Sequence, residues 1–407
     1  MAHFVRPLAL AEMLDPREHE IHFYAPARYG RYLEGKPFAC GELKSISGEE
    51  FLATLAKGKP LFSADTIRRY VAEERELIRQ IRPDLIIGDM RLSLPISARL
   101  EGVRCAVLFN AYWSPYARDR FVIPSLPITR ILPPRWFNPM FRIITPFVLR
   151  GHVEEMNRVR REFGLPVLPP DLRSVYTDGD YVLYPDIPEF VSTTNLPGNH
   201  CYVGICPWEP AAAKPEWWER MRADERRKVF VSLGSSGPVE VVPALLRALE
   251  RLSVAPVIAT SGRGGTWASR ADLGVCPTNY LADLLPFTQT AAAVNVVVSH
   301  GGSGGLYPAM AAGTPVLAIP SNADQHMSTA VLVENGAGLG VRVEDANEKR
   351  LYSALEKLLG DPQFSRRARE WAEIYARYDS GAMFRKFLTE ALATPRTAQP
   401  SDQLRQP

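Results

Sequence analysis

Two apolar rhythms alternate along this chain. Leu8, Leu10 and Leu14 fall on one face of a helix and predict a short amphipathic segment, with a strand over 21–24 behind it. "ADTIRRYVAEERELIRQI" (64–81) keeps helical periodicity until Arg82-Pro83 stops it. "DLIIGD" (84–89) is a short run of the buried-strand type, "SLPISARLEG" (93–102) a helix, and "CAVLFN" (105–110) a second strand. This is the βαβ rhythm of a parallel sheet. A second series opens at "KVFVSLGSSG" (228–237). "PALLRALERL" (243–252) continues it as a helix, and "APVIATSG" (255–262), "VNVVVSH" (294–300) and "TPVLAIP" (314–320) as strands.

Phe121 to Arg150 breaks the rhythm with prolines, aromatics and arginines. It reads as an irregular packed insertion, as a wall for an apolar ligand, or as a patch resting on lipid headgroups. The prolines, alanines and charges of "GICPWEPAAAKPEWWERMRADERRK" (204–228) mark a linker and surface helix. The expected organisation is therefore α/β, with one doubly wound domain over 1–205, a linker over 206–227 and a second domain over 228–377. The tail over 394–407, rich in Pro, Gln and Arg, is expected to be disordered.

Composition narrows the function classes. A length of 407 residues suits two cores, and 46% hydrophobic with 23% charged residues is ordinary globular usage. A net charge of +3 is too small to argue for nucleic acid. Five cysteines without a C-x-x-C pair read as reduced thiols rather than a disulfide framework or zinc site. No apolar run approaches the roughly 20 residues that cross a bilayer, so a cytoplasmic location is expected, with peripheral membrane contact left open.

The densest chemical signal is "VNVVVSHGGSGGLYPAMAAGTPVLAIPSNADQ" (294–325). A buried strand ends at Ser299, Gly301, Gly302, Gly304 and Gly305 crowd the turn, and helix is expected from about Leu306. Glycines let backbone approach a ligand closely, and a helix N-terminus offers unpaired N–H groups and the positive end of its dipole. That suits a diphosphate, to which His300 and Ser303 add donors. A second strand ends in a glycine turn at Gly234, Ser235 and Ser236, whose hydroxyls suit the same anion. Asp324 and Gln325 follow the next strand, and a carboxylate beside an amide can hold the paired hydroxyls of a sugar.

These residues resemble the donor-binding signature of GT-B glycosyltransferases, in the family of plant and bacterial UDP-sugar transferases acting on small lipophilic acceptors. The resemblance implies two Rossmann-like domains facing each other across a cleft, with a C-terminal helix (378–393) returning to the first domain. It implies that His300-Gly301-Gly302 holds the diphosphate, that Asp324-Gln325 holds sugar hydroxyls, and that the loop with Leu285 and Pro286 covers the base. One position departs: where the family carries a Glu for the ribose hydroxyls, this chain has Pro308.

"AHFVRPLALAEML" (2–14) resembles the glycine-His turn after the family's first strand. The resemblance makes His3 the general base and Asp89, at the end of "DLIIGD", its carboxylate partner. A hydroxyl is a poor nucleophile near neutral pH, and an imidazole that takes its proton as the bond forms contributes typically ~10²–10⁴-fold. The implied reaction inverts the anomeric configuration, needs no metal ion or cofactor, and uses a nucleotide-sugar donor with an apolar small-molecule or lipid acceptor, to which "NAYWSPY" (110–116) would contribute aromatic lining. Asp89 could instead cap the next helix or a turn. Arg6 reads as a surface arginine or as a contact to an acidic acceptor group, and His326 as a candidate for the pocket wall. His19, His22, His152 and His200 read as surface or packing residues.

The glycine-His turn normally hangs from a central strand, and only Met1 and Ala2 precede His3. The expectation is a sheet with a gap at its centre and a true start further upstream. Two other readings compete: a nucleotide-sugar epimerase on the same fold, and an inactive accessory protein. A Rossmann dehydrogenase fits poorly, because neither glycine turn is spaced G-x-G-x-x-G.

Overall fold

The computed structural model describes residues 2–47, 62–126, 150–207, 212–234, 237–261 and 280–393, with a few isolated positions between them. Most of 121–150, Ser235, Ser236 and the tail from 394 lie outside these residues. The chain divides into two compact units. One comprises His3–Asp119, Arg142–Trp208 and Asp379–Pro407, the other Met1–Ala2, Arg120–Phe141 and Glu209–Tyr378.

The first unit contains two separate parallel sheets. β1 (His22–Ala25) pairs with β2 (Ala39–Glu42), while β3 (Leu85–Asp89), β4 (Arg104–Leu108), β5 (Tyr181–Tyr184) and β6 (His200–Tyr202) follow in consecutive order. Among the described residues no ladder joins the two. Helix Ala2–Glu12 presents Phe4, Leu8 and Ala11 to Phe23, Ala25 and Leu33, and Leu10 to a second cluster with Ala106, Leu108 and Leu183. That cluster is completed by Phe384, Phe387 and Leu388 of the last helix, Ser380–Ala393. The helix Ala64–Ile81 starts at Ser63, whose side chain accepts from Thr66 N–H, and ends with Arg82 in the left-handed region before Pro83.

Among the described residues the second unit holds one six-stranded parallel sheet. In chain order its strands are β7 (Lys228–Ser232), β8 (Ala255–Ala259), β9 (Leu281–Ala282), β10 (Val296–Ser299), β11 (Val316–Ala318) and β12 (Gly338–Gly340). Their spatial order is β12-β11-β10-β7-β8-β9. β8, β10 and β11 are buried at every position, as a sheet covered on both faces requires. The chain winds outward from β7 in one direction and from β10 in the other, so the strand order reverses between these two neighbours. Ligands of open α/β sheets collect beyond the carboxyl ends at such a point.

The segment entering this unit at Arg120 departs from the expected boundary at 205. Arg120 bonds Glu334, and Ser125 donates its hydroxyl to Glu344 (2.5 Å) and its N–H to Ser321 O (3.0 Å). These contacts tie residues 120–126 to the second sheet's helices and loops.

Candidate active site

β7 and β10 run in register, with Ser232 opposite Ser299, so their outgoing turns start side by side. Gly234 leaves β7 at φ +61° and His300 leaves β10. The imidazole of His300 sits between two glycines: a Cβ on Gly234 would lie 2.9 Å from its Cε1, and one on Gly302 would lie 2.7 Å from its Nε2. The residue keeps partial exposure, yet Nδ1 is sealed and has no partner among the described residues. Burial pushes its pKa down to about 4, with Asp324 opposing, so the ring is neutral and can donate one hydrogen bond without carrying charge.

The helix after this turn begins at Ser303, one turn earlier than the glycine count predicts. Gly302 is its extended N-cap (φ −76°, ψ 152°) and offers no side chain to cap it. Gly305 N–H bonds back to Gly302 O at 3.0 Å. The N–H groups of Ser303 and Gly304 make no hydrogen bond among the described residues. These free donors and the dipole end suit an anion. From beneath, Ser328 Oγ donates to Gly301 O and fixes the turn.

The other predicted donor residues fall around this turn with different degrees of freedom. Asp324 lies in the first turn of helix Ala323–Glu334, which Asn322 caps by accepting from Gln325 N–H. Gln325 is 2% exposed, and its Oε1 already accepts from Ser321 N–H and Oγ, both at 2.9 Å. Leu285 and Pro286 are both buried ahead of helix Phe287–Ala292, so what this loop presents is backbone. Ser235 and Ser236 lie outside the described residues. His326 is buried with Nε2 3.4 Å from Ser125 Oγ, packed against the incoming segment.

The first unit holds the second predicted pair. His3 lies in the first turn of helix Ala2–Glu12 rather than in a loop before it, and its Nδ1 is 2.7 Å from Asp89 Oδ1 at the end of β3. A carboxylate oxygen and an imidazole nitrogen meet at that distance only with a proton between them. Nδ1–H therefore donates to Asp89, which leaves the lone pair on Nε2 of a side chain that is 49% exposed. The alternative reading of Asp89 as a helix cap is excluded, since Ser93 occupies the N-cap of the next helix.

Arg6 corrects the sequence reading. It is no surface residue but is 7% exposed, one turn along from His3, and grips Asp89 by both oxygens: Nε to Oδ2 and Nη2 to Oδ1, each at 2.7 Å. Its Nη1 donates to Asn110 Oδ1 at 2.5 Å, and Asp186 holds that loop through Ala111 N–H at 2.6 Å. Burial pushes the Asp89 carboxyl up, but Arg6 and His3 outweigh it and hold it below the usual carboxylate range. The i,i+3 spacing of His3 and Arg6 was the available signal. Within "NAYWSPY", Tyr112 and Trp113 are buried, Trp113 packing edge-on against Phe109 and Tyr176, so these rings serve the core rather than an open lining.

A model of the erythromycin biosynthesis protein CIII-like C-terminal domain matches residues 264–378. A PGL/p-HBAD biosynthesis glycosyltransferase of Mycobacterium tuberculosis (strain ATCC 25177 / H37Ra) is 39% identical over 376 residues, covering 92% of this chain and 86% of the relative. The chain belongs to the same glycosyltransferase family as this relative. A PGL/p-HBAD biosynthesis rhamnosyltransferase of Mycobacterium bovis (strain BCG / Pasteur 1173P2) is 37% identical over 378 residues, 93% of this glycosyltransferase and 82% of that one. Spinosyn rhamnosyltransferase SpnG complexed with thymidine diphosphate superposes with a TM-score of 0.67 at 19% identity, covering 95% and 96% of the two chains. The glycosyltransferase thus has the GT-B fold that its motifs resemble. Among the described residues no helix is long and apolar enough to cross a membrane.

Proposed function

We propose that this glycosyltransferase moves a sugar from a nucleoside-diphosphate sugar to a hydroxyl of an apolar small molecule or lipid, with inversion and without a metal ion. The observation that carries the reading is the 2.7 Å hydrogen bond between His3 and Asp89, which directs the lone pair of a half-exposed imidazole outward. His3 Nε2 takes the acceptor's proton as its oxygen attacks the anomeric carbon, and Asp89 stabilises the imidazolium that forms. Ser303 and Gly304 N–H, the helix dipole and His300 take the charge developing on the leaving diphosphate.

UDP and thymidine diphosphate are the candidate carriers. The motif resemblance favours UDP, and the thymidine diphosphate held by SpnG favours the other. Pro308 supplies no carboxylate for the ribose, so neither gains from that position.

A panel of UDP- and thymidine-diphosphate sugars, run on the parent and on His3→Ala and Asp89→Asn, tests the proposal. Transfer by the parent with loss in both variants supports it, and full activity in both removes the base. Proton NMR of the product reads the anomeric configuration, and a chelator reads metal dependence. Donor incubated alone separates transfer from epimerisation, since an altered sugar without acceptor marks the latter.

A further inference from the structure

The base pair is held from one side only. Asp89 has no exposed side-chain surface, and its hydrogen bonds come from His3 and Arg6. His3 is half exposed and swings on two rotatable bonds, so it cannot fix a carboxylate. Arg6 can, because its planar fork matches both oxygens and leaves the group a single orientation. The guanidinium is itself fixed by Asn110 at the end of β4. One side chain therefore joins helix Ala2–Glu12 to the ends of two neighbouring strands.

We propose that Arg6 is a positioning residue for catalysis: it locks Asp89 in the orientation that presents Oδ1 to His3 Nδ1–H and thereby sets the tautomer of the base. This rests on the assignment of His3 as base. An arginine recruited for stability alone would be served by any contact with Asp89. Here Nη2 shares Oδ1 with His3 and lies 3.1 Å from His3 Nδ1, so the cation touches the very bond that orients the ring. The titratable groups facing the guanidinium are Asp89, His3, Tyr112 and Cys206, with Asp186 one residue further through Asn110. Of these only Asp89 carries a carboxylate bonded to it.

The test compares Arg6→Met and Arg6→Lys with the parent in steady-state kinetics from pH 5 to 9, with His3→Ala as control. Arg6→Met leaves a buried carboxylate facing only the imidazole. Its kcat is expected to fall at least tenfold, with acceptor KM within twofold and the acidic limb of the kcat profile moved at least one unit higher. Arg6→Lys keeps the charge but loses the fork, so the limb stays within half a unit while kcat still falls about tenfold. Parent-like kcat and profile in Arg6→Met overturn the proposal, as does a rise in acceptor KM alone, which would place Arg6 against the acceptor. If Arg6→Met gives no cooperative melt, parent-like kcat in Arg6→Lys overturns it instead. Full activity in His3→Ala would fail the base assignment itself, whereas an inactive His3→Ala beside a parent-like Arg6→Met fails only the role of Arg6.

Discussion

A Cβ on Gly301 would stand 2.5 Å from Thr329 Oγ1, on a backbone held at φ +85°. Both facts disfavour a side chain at this position of the glycine turn after β10. Gly301→Ala is expected to destabilise the protein by about 1–3 kcal/mol and to weaken nucleoside diphosphate binding at least tenfold. Thermal melts and titration calorimetry check both. Adding Thr329→Ala relieves the steric part and recovers some stability, while the φ strain remains.

His3→Ala is expected to lower kcat by ~10²–10⁴-fold with donor affinity unchanged, because the donor turn lies in the other unit of the chain. Single-turnover measurement under saturating donor separates chemistry from release. A variant retaining more than a third of parent kcat would dismiss the imidazole as base.

The second unit was largely legible because its signals are local. Strand, glycines and helix are contiguous from Val294 to Met310, and only the helix start was misjudged. Gly304 and Gly305 are poor helix formers in isolation, but an extended N-cap at Gly302 and burial of Leu306, Ala309 and Met310 draw them into the first turn. The dyad was legible only through the resemblance, since His3 and Asp89 are 86 residues apart. Arg6 was misread for the same reason. Its burial depends on Asp89 and Asn110, and a lone arginine on an amphipathic helix shows neither. Gln325 shows the opposite failure, because a side chain that looked free to bind a sugar is engaged by its own loop through Ser321.

His300→Ala is expected to raise the Kd for nucleoside diphosphate about tenfold, the worth of one hydrogen bond. With its pKa pushed down to about 4, His300 does not titrate between pH 6 and 8. Donor affinity measured across that range should therefore show no step belonging to this residue. A cationic contribution would appear as tighter binding with falling pH, absent from the variant.

Burial pushes the His326 pKa down to about 3, while an unfolded histidine titrates near ~6.5. Between these values the unfolded chain binds the extra proton, so stability is fully present above about pH 6.5 and is lost as pH falls below it. The loss attributable to this side chain is at most about 1.4 kcal/mol per pH unit. His326→Gln should flatten the fall of Tm between pH 6.5 and 4.

Both helices that carry the proposed site residues contain a proline, Pro7 in one and Pro308 in the other. Each lies four residues beyond a functional position, so the carbonyls of His3 and Gly304 lack the amide that would continue the helical ladder. The leading turn is thereby joined to the rest by one hydrogen bond fewer, and each helix behaves as a short cap hinged on a firmer cylinder. Hydrogen exchange should register this as earlier opening of the Leu306 amide, which bonds Gly302 O, than of those at 309–311. The proposed base and the proposed anion donors are thus carried on the leading turn of each helix.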